Sequence, residues 1–297
     1  MTAIKTVGWV GCGIMGVPMA KNLMKNGVSL VVYNRTPDKC HDLVALGATL
    51  APSARDVAAQ SDVVFAMVSD PDAAREVALG EAGVVAGLTA GKGYVDVSTV
   101  DVATVVAVSQ ACHAAGAQYL EAPVSGSKGP AENAQLIFLC GGDEELYTRT
   151  SHLLDFMGKA KFFLGEVGQG AKMKLVVNLI MGSMMGALAE GIALAPECGL
   201  DPKTLVDVLG LGAMAMPMVA LKGKPMTEGS YPTAFPLKHQ QKDMRLALEE
   251  AERLGQTLPV AAAAHRTYQR ASELGHANDD FSAILTALLD NKGKGLH

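Results

Sequence analysis

Three glycines stand at GxGxxG spacing in Val10-Gly11-Cys12-Gly13-Ile14-Met15-Gly16, close to the N-terminus. They follow a short apolar stretch, Thr6-Val7-Gly8-Trp9-Val10, which reads as a buried strand. They open a segment of helical spacing from Met15 to Asn26, with Met15, Met19, Leu23 and Met24 on one stripe and Gly27 as its stop. A second apolar run, Ser29-Leu30-Val31-Val32-Tyr33, comes next. Strand, glycine turn, helix and strand make a βαβ unit. In such a unit Gly11 permits the tight turn, Gly13 lets the backbone approach a phosphate, and Gly16 lets helix and strand pack closely. A dinucleotide pyrophosphate would rest on the N–H groups of Gly13, Ile14, Met15 and Gly16, where the helix dipole favours anions. A GxGxxG without these flanks is a weak signal, because glycine-rich turns are common.

The end of the second strand discriminates between dinucleotides. An acidic residue there would bind the ribose 2′-hydroxyl of NAD. This chain has Asn34-Arg35-Thr36 instead. Asn34 does not repel a 2′-phosphate, Arg35 offers a forked and permanently charged donor, and Thr36 adds a hydroxyl, so the expectation is NADP(H). The bland alternative is a solvated arginine in the turn before Pro37.

Alternation of strand and helix signals continues to about residue 165. Ser53 suits the cap of a helix through Gln60. Strands are predicted at Asp62–Val68, Tyr94–Val97, Gln118–Ala122, Leu136–Cys140 and Lys161–Leu164, with helices at Val102–Ala115 and Glu144–Met157. Beyond that point strand signals nearly vanish. Gly168-Gln169-Gly170 opens a long apolar helix, and further helices are predicted at Pro202–Leu209, Pro236–Leu254, Leu258–Leu274 and Phe281–Leu289, with a loop from Gly223 to Pro232. The fold expected is α/β: an N-terminal Rossmann-type doubly wound sheet over residues 1–166, then an all-α domain over 167–297, joined by a long helix.

Composition narrows the function classes. With 49% hydrophobic and 19% charged residues the 297-residue chain can bury a real core, and a net charge of −5 leaves no electrostatic footprint for nucleic acid. Five scattered cysteines without a CxxC pair suggest neither a disulfide framework nor a metal site, which fits a reducing, cytoplasmic setting. Cys12, inside the glycine loop, reads as a small packing residue. No leader is visible before the glycine loop. Leu175 to Ala195 is long and apolar enough to resemble a membrane span, but Asn178 and Glu190 argue for a buried helix of a soluble protein. Its small residues Gly182, Gly186 and Ala189 would admit another helix, for instance from a second subunit.

Five blocks then occur in order: GCGIMGVPMAKNL at the start, DVSTVD at 96–101, APVSGSKGPAENAQL at 122–136, GQGAKMKLVVN at 168–178 and FPLKHQQKDMRLA at 235–247. Through them essentially the whole chain resembles the β-hydroxyacid dehydrogenase family, which includes 3-hydroxyisobutyrate, tartronate-semialdehyde and glyoxylate/succinic-semialdehyde enzymes. The third and fifth blocks, with GSMMGALAEG at 182–191, look most like the glyoxylate/succinic-semialdehyde reductase branch.

Lys174 is the first chemical candidate, with Asn178 at i+4 on the same helical face. Hydride reduction of an aldehyde leaves a developing alkoxide that needs a proton or positive charge. A lysine ammonium supplies both, and partial burial would make it a better acid. The resemblance implies these catalytic roles for Lys174 and Asn178; read without it, Lys172 and Lys174 could equally be solvated residues at a helix start. Many family members have two successive asparagines here. This chain has Val177 and Leu179 around Asn178, so one asparagine role alone carries over.

The resemblance further implies that Ser125 and Gly126 hold the substrate carboxylate, and that Thr99 faces the nicotinamide or substrate. It gives Lys242 a contact with the cofactor, Phe235 the wall of the substrate pocket, and Asp243 a supporting role. Met67, Val68 and Ser69 lie at a strand C-terminus, where a dinucleotide approaches an open α/β sheet. By themselves Ser125-Gly126-Ser127 would be a plain turn, and Lys238, Lys242 and Asp243 a solvated face. His239 has no motif behind it.

The function implied is NADPH-dependent reduction of small aldehyde-acids by a homodimer or homotetramer, in a cleft between domains. The enzymatic alternative is 3-hydroxyisobutyrate or tartronate-semialdehyde chemistry. A 6-phosphogluconate dehydrogenase is longer and needs more phosphate-binding basic residues. The alternative from another class is a catalytically inactive dinucleotide-binding scaffold, whose expected mark is loss of the lysine.

Overall fold

A computed structural model of the chain describes residues 4–290, so the first and last residues of the two expected domains lie outside the described residues. The chain forms two compact units, Met1–Leu175 and Val176–His297.

The first unit is a sheet with helices on both faces. Six strands run in parallel in the order β3-β2-β1-β4-β5-β6: β1 (Thr6–Val10), β2 (Ser29–Tyr33), β3 (Thr49–Leu50), β4 (Val63–Ala66), β5 (Gly93–Asp96) and β6 (Gln118–Glu121). Then β8 (Leu136–Gly142) pairs antiparallel with both β6 and the short β7 (Val124–Ser125), and β9 (Gly158–Phe163) lies parallel to β8. Helices α1 (Gly16–Lys25), α2 (His41–Ala45), α3 (Ala54–Gln60), α4 (Pro71–Leu79), α5 (Val102–Ala114), α6 (Lys128–Glu132) and α7 (Glu144–Asp155) complete the layers.

Strand periodicity of two sorts the core into two halves. Trp9, Phe65, Val95 and Leu120 bury into one half with Met19 and Leu23 of α1. Their neighbours Val10, Val64, Tyr94 and Tyr119 bury into the other with Val57, Val105 and Val108. Both faces being covered explains why Asp62–Val68 reads as a continuous apolar run rather than an alternating one. Trp9 stacks on Phe65 across β1 and β4, with ring centroids 5.9 Å apart. As expected, Ser53 caps α3, its hydroxyl accepting from the Asp56 N–H.

The long helix is α8 (Gln169–Glu197), 29 residues. After it the second unit holds α9 (Pro202–Leu211), α10 (Pro217–Thr227), α11 (Leu237–Arg253), α12 (Pro259–Ala271) and α13 (Leu285–Asp290). Two expectations are corrected. The loop from Gly223 to Pro232 begins only after Thr227, because residues 217–227 are helical and bury Val219, Gly223 and Met226 at helical spacing. Pro217 occupies the first turn, where a missing N–H costs nothing, and Pro225 falls in the last turn, so neither proline breaks α10. The second concerns the small residues of α8. A Cβ on Gly182 would fall on the Gln240 amide and 2.6 Å from Met244 Sδ, and one on Gly186 would lie 3.4 Å from Ala264 Cβ. The helices that use this face are α11 and α12 of the same chain. By length and apolar composition α8 would also suffice to cross a membrane.

Candidate active site

In the first unit the C-terminal ends of four neighbouring strands are tied together. The Gly11 N–H donates to the Tyr33 carbonyl at 3.0 Å, and the Cys12 N–H donates to Asn34 Oδ1 at 3.0 Å. Asn34 also donates from Nδ2 to the Thr36 carbonyl at 2.8 Å, so it locks the glycine loop to the turn that carries Arg35. The Met67 N–H donates to the Val10 carbonyl, and the Val68 N–H to Ser98 Oγ at 3.0 Å. Residues 11–16, 34–36 and 67–69 thus form one continuous rim.

The glycine loop is as crowded behind as it is open in front. Gly11 has φ +98°, and a Cβ there would run into the Met67 carbonyl. A Cβ on Gly16 would run into the Gly11 carbonyl and lie 3.2 Å from Trp9 Nε1, which itself donates to the Gly11 carbonyl at 3.0 Å. Gly13 meets nothing within 4 Å, Ile14 is 47% exposed, and no side chain caps the N-terminus of α1. The N–H groups of residues 13–16, at and just before the first residue of α1, are therefore available to an anion, which fits a dinucleotide pyrophosphate, whereas those of Val17 and Met19 already donate to the Gly13 and Met15 carbonyls. Arg35 is exposed and, among the described residues, in no ion pair, so its guanidinium is available to a 2′-phosphate. Cys12 lies 3.4 Å from Cys40, sulfur to sulfur. Burial pushes both thiols up, which suits packing groups rather than reactive ones.

Thr99 is half-buried on the loop after β5. Ser125 ends β7, opposite Ile137 of β8, and Gly126 turns away with φ +131°. Lys174 is 6% exposed, one turn into α8. An alkyl stem and ammonium this deep are not those of a solvated helix start.

The sequence patterns missed Glu121 on this side. It closes β6, is fully buried, and accepts from the N–H groups of Gly168 (2.6 Å), Gly170 (2.9 Å) and Ala171 (3.2 Å) at the start of α8. Burial pushes its carboxyl up to about 7 against the pull of those three donors. The signal was present in QYLEAPV, where an acid sits at a position of strand burial.

In the second unit Asn178 and Asp243 come together. Asn178 Nδ2 donates to Asp243 Oδ2 at 2.6 Å, and Lys242 Nζ lies 3.0 Å from Asp243 Oδ1. Asn178, Lys242 and Asp243 are all buried. Gln240, fully buried, donates to the Asn178 carbonyl at 2.9 Å and fixes the same turn of α8. It is a polar residue on the apolar stripe of α11, the one cue that could have marked it. Phe235 packs edge-on against Phe281 with centroids 5.8 Å apart and stacks on His239. Buried Asp280 accepts from the N–H groups of Ala234 and Phe235 and from Lys222 Nζ, and so holds the Phe235 turn. Lys238 is exposed and donates to Asn278, away from that cluster. Among the described residues no group of His, Cys, Asp and Glu could hold a metal ion.

A family model for the NAD-binding domain of 6-phosphogluconate dehydrogenase matches residues 6–167. A second, for NAD-binding of NADP-dependent 3-hydroxyisobutyrate dehydrogenase, matches residues 168–288. The chain is 55% identical over 289 residues to glyoxylate/succinic semialdehyde reductase 2 (chloroplastic) of Arabidopsis thaliana, covering 97% of this chain and 81% of that protein. It is 49% identical over 282 residues to glyoxylate/succinic semialdehyde reductase 1 of the same plant, covering 95% of this chain and 98% of that protein. The crystal structure of 3-hydroxyisobutyrate dehydrogenase from Salmonella typhimurium is similar with TM-score 0.86 and 28% identity, over 95% of this chain and 99% of that one. A Rossmann-type sheet followed by a helical unit agrees with these matches, and the chain belongs to the β-hydroxyacid dehydrogenase family. It is an NADP-dependent oxidoreductase.

Proposed function

We propose that this chain reduces small aldehyde-acids with NADPH, taking glyoxylate to glycolate and succinic semialdehyde to 4-hydroxybutyrate. The observation that carries the substrate class is 55% identity, across nearly the whole chain, to a reductase of those two compounds. Residues 1–166 serve as the cofactor domain and 167–297 as the domain for substrate and self-association.

The site residues have distinct tasks in this reading. The N–H groups of residues 13–16 hold the pyrophosphate, and Asn34, Arg35 and Thr36 the 2′-phosphate. Met67, Val68, Ser69 and Lys242 hold the rest of the cofactor, which when bound supplies the hydride. Ser125 and Gly126 take the substrate carboxylate, Phe235 supplies an apolar wall, and Thr99 faces the reacting end. Lys174 donates a proton to the carbonyl oxygen as negative charge develops there. Asn178 orients that oxygen, and Asp243 fixes the amide.

The chain works as a homodimer or homotetramer in the cytoplasm. The face of α8 turned from α11 and α12 supports self-association, with Val176, Ile180 and Leu194 each more than half exposed.

NADPH oxidation with glyoxylate, succinic semialdehyde, methylmalonate semialdehyde and tartronate semialdehyde tests the reading. Turnover is expected to be fastest with the first two. Turnover confined to the last two would establish the 3-hydroxyisobutyrate or tartronate-semialdehyde alternative, and no turnover with any would leave a cofactor-binding scaffold. Arg35→Ala is expected to lower kcat/KM for NADPH by about tenfold, the loss of one exposed charge-assisted contact, while NADH use stays unchanged. Equal losses with both cofactors would remove Arg35 from the 2′-phosphate.

A further inference from the structure

Among the described residues Glu121 is in no ion pair, and its carboxylate is held by backbone. Its hydrogen-bond partners are three backbone N–H groups, and those of Gly170 and Ala171 belong to the first turn of α8, which has no i−4 carbonyl to use. An acceptor at this end also meets the positive pole of a 29-residue helix. The surroundings make room for it. A Cβ on Gly141 of β8 would lie 2.6 Å from Glu121 Oε1 and 2.8 Å from the Glu166 carbonyl, and one on Gly170 would lie 3.3 Å from the Glu121 carboxyl carbon. Lys174 follows Gly170 at i+4 and Ala171 at i+3, on the turn that Glu121 secures.

We propose that Glu121 is a positioning residue for the reduction: it clamps the start of α8 to the end of β6 and so fixes where the Lys174 ammonium stands. The proposal rests on Lys174 as the proton donor. A helix anchored only by its own hydrogen bonds can shift along its axis, and a displacement near 1 Å at a reacting group costs on the order of 100-fold in rate.

The clamp depends on the charge of the carboxylate. The titratable groups that interact with it are Asp96 on β5, Cys140 on β8 and Tyr119 on β6 itself, and Lys172 and Lys174 follow in sequence along α8. Asp96 disfavours the charged form, adding to the effect of burial. A proton on Glu121 goes to Oε2, whose bond to the Ala171 N–H is the longest of the three, and turns that oxygen from acceptor into donor. Activity limited by this clamp therefore falls as pH drops through about 7, where the carboxyl becomes protonated.

Glu121→Gln keeps one carbonyl oxygen and places an amide N–H against Ala171, which mimics the protonated form at every pH. Its kcat is expected about tenfold below the parent at pH 8, equal to the parent at the acid end, and without the acid limb. The dissociation constant for NADPH stays within about twofold, because the glycine loop is untouched. Gly141→Ala, which displaces the carboxylate without altering its charge, is expected to lower kcat while keeping an acid limb. The limb of the unmodified enzyme provides a readout should either variant fold poorly. An unchanged profile and kcat in Glu121→Gln, with Lys174→Ala inactive, overturns the positioning role alone. Full activity in Lys174→Ala overturns both this inference and the reading beneath it.

Discussion

Replacing Lys174 by alanine is expected to lower kcat by about 100- to 10,000-fold, the range for loss of a positioned general acid, with NADPH affinity within about twofold of the parent. Two observations motivate this. Lys174 is buried at 6% exposure on the first turns of α8, and a buried ammonium is tolerated only where it has work or partners. The reduction also builds negative charge on oxygen, which that ammonium can neutralise as it forms. Lys174→Arg separates the two contributions. Arginine keeps the positive charge but does not release a proton at accessible pH, so it is expected to restore little of the loss if proton donation dominates. Recovery to within about tenfold would instead assign Lys174 an electrostatic role. Single-turnover measurements with saturating NADPH give the chemical step directly, and near-full kcat in Lys174→Ala would remove this residue from the mechanism.

How much of this was legible in the sequence depends on which signal each element carries. The parallel core was legible because β1, α1 and β2 bring periodicity, a glycine turn and a stop together, and because β4 is apolar on both faces. Helix α10 was hidden by Pro217, Gly223, Pro225 and Gly229, residues that usually punctuate loops. Only packing shows that the first two suit a helix start and a buried face. Ser125-Gly126-Ser127 read as a plain turn because the two-residue strand and five-residue helix on either side are too short to show a period.

The site divides in the same way. Lys174, Asn178 and Ser125 came from motifs, since their residue types and order carry the chemistry. Glu121, Gln240 and Asp280 act by holding backbone that lies 40 or more residues away in the chain, although Asp280 also caps its own following turn through Ser282. No local pattern encodes such a pairing. Each is nonetheless a polar group in an apolar stretch, which is costly unless satisfied, and that conflict is what a sequence can show.

Asp243 is where support for the site and stability of the second unit coincide. Asp243 is 1% exposed, and its carboxylate pairs with Lys242 at 3.0 Å and accepts from Asn178 at 2.6 Å. Asp243→Ala leaves a buried ammonium and a buried amide without that partner, and unfolding of the second unit is expected to become easier by about 3–5 kcal/mol. Denaturant titration of the purified protein measures this. Asp243→Asn keeps an oxygen for Asn178 but not the charge for Lys242, so it is expected to fall between the two. The pair itself need not be net stabilising, since desolvating both charges offsets much of their attraction. Lys242→Met combined with Asp243→Ala removes both charges and is expected to recover a large part of the lost stability, as a positive coupling in the double-mutant cycle. Catalysis should not recover with it, because Asn178 still lacks its anchor and the cofactor its Lys242. Stability and activity returning together would mean that the buried pair serves the fold alone, and additive losses would mean that the two side chains are not coupled at all.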